Sequence, residues 1–175
     1  MLVTLRARTE VDYLRTGDAL AAMERALSRA NKAWFRIFAW SIQTDHVHLV
    51  VEADSRLALI RGVQGLAVRC AKAVNKALGR KGAVWYHRYH ARRLKTPTEV
   101  RAALVYVFLN FRKHLRAGPG IDPRSSGPWF DGWTRPPRPP PGPPPVAPPR
   151  TWLAREGWRL AGGLIDPSES PAARW

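Results

Sequence analysis

The sequence predicts an α+β protein built on an antiparallel sheet. Three observations carry this expectation. Short apolar runs with a two-residue period alternate with longer stretches whose apolar residues recur every three or four positions, in the order strand, helix, strand, strand, helix, strand, helix. The second and third strands are separated by only three polar residues, which makes them an antiparallel hairpin. No run approaches the ~20 consecutive apolar residues of a membrane span, so the apolar faces must bury one another. Helices on one face of such a sheet make a ferredoxin-like (RRM-like) core, here with an extra C-terminal helix and a Pro-rich tail.

The chain opens on Leu2-Val3-Thr4-Leu5-Arg6-Ala7, an alternating strand with no leader, as if an upstream segment had been lost or the start misassigned. After Gly17, apolar residues at Leu20, Met23, Ala26, Leu27 and Ala30 predict an amphipathic helix with Asp18 as its N-cap. Trp34 to Ile42 reads as the second strand, Gln43-Thr44-Asp45 as the break, and His46-Val47-His48-Leu49-Val50-Val51-Glu52 as the third. Asp54 or Ser55 can cap a long helix whose stripe is Leu57, Ile60, Val63, Leu66, Ala67, Cys70, Val74 and Leu78. Its other face carries Arg56, Arg61, Arg69, Lys72 and Lys76.

Gly79 to Gly82 ends that helix, and the fourth strand is expected from Ala83-Val84-Trp85-Tyr86 through to Leu94, with Trp85 and Tyr86 in the core. Thr96-Pro97-Thr98-Glu99 is a strong helix start: Thr96 caps, Pro97 takes the first turn and Glu99 closes a capping box. The third helix is expected to run to about Leu115. Organisation follows from this: a domain over 1–117, a turn-rich and proline-rich linker or strap over 118–150, and a tail over 151–175 with a short helix. The tail tryptophans are expected to dock on the domain or on DNA.

Charge narrows the partner. Lys and Arg number 29 against 13 Asp and Glu, a net charge of +16, and such a field attracts polyanions, nucleic acid first among them. A single cysteine, Cys70, excludes an internal disulfide and a thiolate zinc cluster. With no signal-peptide pattern and no span, a cytoplasmic protein that does not engage membranes is expected.

Two stretches carry candidate chemistry. Strand alternation puts His46 and His48 on one face, with Val47, Leu49 and Val51 on the other. Two imidazoles side by side can hold a divalent cation, although the same spacing suits two idle surface histidines. On the third helix Tyr106 and Asn110 are four residues apart and share a face that Lys113 continues. If that helix crosses near the histidines, the Asn110 amide oxygen can be a third ligand and the Tyr106 phenol can approach a phosphate. Mixed nitrogen and oxygen donors suit Mg2+ or Mn2+. The alternative leaves Tyr106 at the core edge and Asn110 as an ordinary polar residue.

Asp45-His46-Val47-His48-Leu49-Val50-Val51 resembles the His-hydrophobic-His strand of the single-tyrosine HUH transposases (IS200-like). Trp85-Tyr86-His87-Arg88-Tyr89-His90 and Tyr106-Val107-Phe108-Leu109-Asn110 are similar, in order and spacing, to blocks of the REP-associated tyrosine transposase family. The resemblance covers residues 1 to 117 and implies that Tyr106 is the nucleophile and His46, His48 and Asn110 the metal ligands. It further implies cleavage of single-stranded DNA near a hairpin through a 5′-phosphotyrosine, in a bacterial, nucleoid-associated protein acting as monomer or homodimer. Phe111 stands where that family commonly has proline, which weakens the subfamily label more than the chemistry.

Arg88, Arg92, Arg93 and Lys95 are candidates for phosphate contacts, as is Lys113, and Tyr89 or His90 for stacking on a base. Two other functions compete: a non-catalytic RNA-binding or DNA-binding module, and a domesticated protein that binds hairpins without cutting.

Overall fold

The computed structural model describes residues 1–11, 13–112 and 118–171. Four strands, β1 (Leu2–Arg6), β2 (Phe35–Ile42), β3 (His46–Ala53) and β4 (His90–Arg92), form one antiparallel sheet in the order β2-β3-β1-β4. Helices α1 (Gly17–Ser28) and α2 (Arg56–Ala77) cover one face, and α3 (Pro97–Leu109) packs on the other. This is the ferredoxin-like arrangement with its additional helix, and pleating explains the division. Val3 and Leu5, Val47, Leu49 and Val51 point toward α1 and α2, while Leu2 and Val50 point toward α3.

The helix starts show where local chemistry decides. Ser55 caps α2 by accepting from the Ala58 N–H at 3.0 Å. The Thr96–Glu99 capping box forms with Pro97 in the first turn, as expected. At α1 the expected cap is corrected: Thr16 takes the N-cap position and Asp18 lies in the first turn, where its charge still favours the helix dipole. Gly79, at φ 61°, follows the last turn of α2. Gly62 has another role, since a Cβ there would lie 2.2 Å from the Phe35 ring. Without one, α2 can approach β2 closely.

Two expectations about length are corrected. β4 is three residues long, not a run from Ala83 to Leu94. The chain touches β1 at an Ala7–Trp85 bridge, the Tyr86 N–H donates to the Arg6 carbonyl, and the backbone then leaves the sheet until His90. The apolar stripe of α2 is also shorter than expected, since Leu57 in its first turn is exposed. The helix end expected near Leu115 lies outside the described residues.

Residues 118–171 complete the α3 face. Around β2 the outer edge is covered by two pieces of this segment: Ser126 N–H donates to the Trp40 carbonyl, and Ala147 N–H to that of Ile37, beside a bulge at Phe38. An uncovered edge would template pairing with other chains. Trp133 and Trp158 are buried with Phe108 and Phe130 against α3. At Gly132 a Cβ would meet Phe130 at 2.3 Å and Trp158 at 2.5 Å, so glycine is what lets the rings close over the turn. Asp122, wholly buried, takes a bidentate pair from Arg15 and a hydrogen bond from Gln43, joining this segment to the body. A short helix, α4 (Trp152–Arg155), and a 3₁₀ turn follow.

Candidate functional site

Pleating that buries Val47, Leu49 and Val51 on one face turns His46 and His48 to the other, with ring centroids 4.5 Å apart at 71°. His48 is 4 % exposed, and its Nδ1 shares a hydrogen bond with Thr4 Oγ1 at 3.0 Å. Register explains the partner, since Thr4 is the residue of β1 opposite His48. His46 Nδ1 lies 2.6 Å from Asp45 Oδ1. Asp45 is also paired with Arg6 at 3.3 Å. Partial burial pushes the Asp45 carboxyl up, but His46 and Arg6 outweigh it and hold it below the usual carboxylate range.

From above, α3 brings Tyr106 onto His48, with ring centroids 4.7 Å apart at 65°. Burial pushes the phenol above its ordinary value near 10, so at neutral pH it is protonated. Asn110, 4 % exposed, caps the helix one turn further on, and its N–H donates to the Tyr106 carbonyl. Thus β3, β1 and α3 bring His46, His48 and Tyr106 together in one place. Lys113 lies outside the described residues.

Two imidazole nitrogens side by side are borderline donors of the kind that can hold a divalent metal. Each imidazole has its Nδ1 in hydrogen-bond contact with an oxygen, the kind of contact that orients metal-ligating histidines. Among the described residues no three His, Cys, Asp or Glu side chains gather at one point. A third protein donor would therefore be of another type, and the Asn110 amide is the candidate.

β4 and its flanks hold the remaining candidates. His90 pairs with Thr4 and so extends the row that contains His48. It is exposed, as are Arg88, Arg92, Arg93 and Lys95. Arg92 pairs with Glu99 at 3.5 Å. Tyr89 is half-buried against the α1–α2 core, whereas Tyr86, expected in the core, is 55 % exposed. Trp85 does pack inward, donating to the Ala67 carbonyl at 2.8 Å. Sequence reasoning passed over Thr4 and Arg6. Their alternation with Val3 and Leu5, on a strand facing the histidines, was the available signal.

A family model described as "Transposase IS200 like" matches residues 3–107, more than half of the chain. The chain belongs to the IS200-like transposase family. The matched span begins in β1 and ends just after Tyr106, so it includes both histidines and the tyrosine. Among solved structures, the chain is similar to a REP-associated tyrosine transposase bound to a REP hairpin, at 21 % identity and a TM-score of 0.48 over 65 % of this chain. The match spans 66 % of that chain. No curated protein matches the sequence.

Proposed function

We propose that this chain is a REP-type single-strand DNA endonuclease and strand transferase that cuts beside a hairpin by forming a 5′-phosphotyrosine on Tyr106. The observation that carries the reading is the Tyr106 ring seated on His48 beside His46, in a chain of the IS200-like family. A binding module has no chemical use for a tyrosine against a histidine pair.

In the proposed step the Tyr106 oxygen forms a bond to phosphorus as the bond from phosphorus to the 3′ oxygen breaks. The phenol loses one proton and the released 3′-hydroxyl gains one. A second strand's 3′-hydroxyl reverses the step, so the phosphoester is conserved and no nucleotide cofactor is required. His46, His48 and Asn110 would hold Mg2+ or Mn2+. When bound, that ion polarises the phosphate and offsets charge developing at the leaving oxygen. Burial holds the phenol protonated at neutral pH, and a protonated tyrosine is a poor nucleophile until its proton is removed. Asp45 and Thr4 act as positioning residues by holding the two imidazoles.

The test mixes the protein with single-stranded oligonucleotides taken from hairpins flanking its gene, with Mg2+ or Mn2+, and resolves the products on a denaturing gel. A metal-dependent protein–DNA adduct that vanishes in Tyr106→Phe is the expected result. Binding with no adduct in either metal would replace the proposal with a domesticated hairpin-binding protein. Equal cutting by Tyr106→Phe would remove Tyr106 from the mechanism.

A further inference from the structure

Beside His46, where β1 leaves the sheet, lies a cleft of about 550 Å³ whose lining includes Arg6, Arg8, Tyr13, Thr44, Asp45 and Tyr86. It starts next to the candidate site, because Arg6 is the residue of β1 opposite His46. Its two tyrosines are 63 % and 55 % exposed, against the half-buried Tyr89 and Tyr106. Water on that much ring surface carries a free-energy cost that a stacked base would relieve. Tyr86 is braced by an edge contact with the His87 ring at 4.3 Å, which limits its rotation. Each arginine is paired with a carboxylate at the surface, Arg6 with Asp45 and Arg8 with Glu10, each at 3.3 Å, and the two arginine side chains remain 73 % and 42 % exposed.

We infer that this cleft holds the unpaired DNA strand that flanks the cut, with Tyr13 and Tyr86 stacking on its bases and Arg6 and Arg8 meeting its phosphates. Rings beside guanidinium groups suit single-stranded nucleic acid, whose bases expose their faces. A duplex keeps its base faces within its own stack and offers the tyrosines nothing. The inference rests on the proposed function for where the scissile phosphate sits, but binding in the cleft is a separate property.

The test measures fluorescence anisotropy of a labelled oligothymidine and of a labelled blunt hairpin, without divalent metal so that no cutting occurs. Tyr13→Ala and Tyr86→Ala should each weaken oligothymidine binding by about fivefold to a hundredfold, the range for loss of one stacking ring. Tyr13→Phe and Tyr86→Phe should keep wild-type affinity, and none of the four should change hairpin binding. Both side chains are exposed, so unchanged thermal unfolding verifies that the variants fold. Wild-type affinity in both alanine variants, or equal weakening for hairpin and single strand, would overturn the inference. Tyr106→Phe separates this from the proposed chemistry: its oligothymidine affinity stays at wild type while its adduct is lost. A wild-type protein without an adduct but with the tyrosine dependence would retain the cleft and lose the catalytic reading.

Discussion

The two faces of β3 are made of alternate residues of one strand, yet they are completed in different ways. Val47, Leu49 and Val51 are covered by α1 and α2, which lie close to it in sequence, and the result is an apolar core. His46, His48 and Val50 face α3 and the aromatic cluster of Phe130, Trp133 and Trp158, drawn from far along the chain. A face that gives up apolar positions to imidazoles buries less hydrophobic area itself, and tryptophans from the last third of the chain make up the deficit. Polar chemistry and a dry core therefore share one face, with Tyr106 and Phe108 on the same helix serving the two purposes.

Adjacent substitutions on β3 test that division most directly. His48→Ala should reduce adduct formation to the level seen without added metal, while Leu49→Ala should cost about 2–5 kcal/mol in denaturant unfolding and leave cutting per folded molecule unchanged. Should Leu49→Ala abolish cutting in a protein that is still folded, the two faces are not separable. On the α3 face Trp158→Ala should cost about 3–5 kcal/mol by the same measurement, as expected for a large buried aromatic. Cys70 supplies an independent readout of the other face, since burial pushes its thiol up to about 12. Its alkylation at neutral pH should be slow and should accelerate only when the α1–α2 core opens.

A smaller effect concerns acid. Arg101 holds Glu169 through a bidentate pair and holds its carboxyl below the usual range, against partial burial, which pushes it up. A depressed carboxylate stabilises the folded state above its unfolded value near 4.5, and that contribution is lost as pH falls through the folded value. The expected consequence is that residues 164–171 gain hydrogen exchange below about pH 4 before the sheet does, by about 1 kcal/mol or less. Glu169→Gln should show the same loosening at pH 7, and identical exchange in that variant would remove the ion pair from the account.

Much of the site was legible because its logic is local. A two-residue period places two histidines on one side of a strand, and a four-residue interval places Tyr106 and Asn110 on one side of a helix. The Thr96-Pro97-Thr98-Glu99 start was equally local, and it formed as read. Tyr86 and Tyr89 were not legible, because a strand pattern predicts which residues alternate but not where the strand stops. The bridge at Trp85 followed by departure from the sheet reversed their surroundings.

By itself the sequence determined the order of elements, the alternation that separates Val47 and Leu49 from His46 and His48, and the positive field of the chain. Tertiary structure alone decided that α3 crosses so that Tyr106 meets His48, that Thr4 holds that imidazole, and that Trp133 and Trp158 fill the space beside them. Periodicity is a property of neighbours along the chain and survives in any packing. Which face meets which helix depends on the balance of all the buried surfaces at once, and no local pattern encodes it.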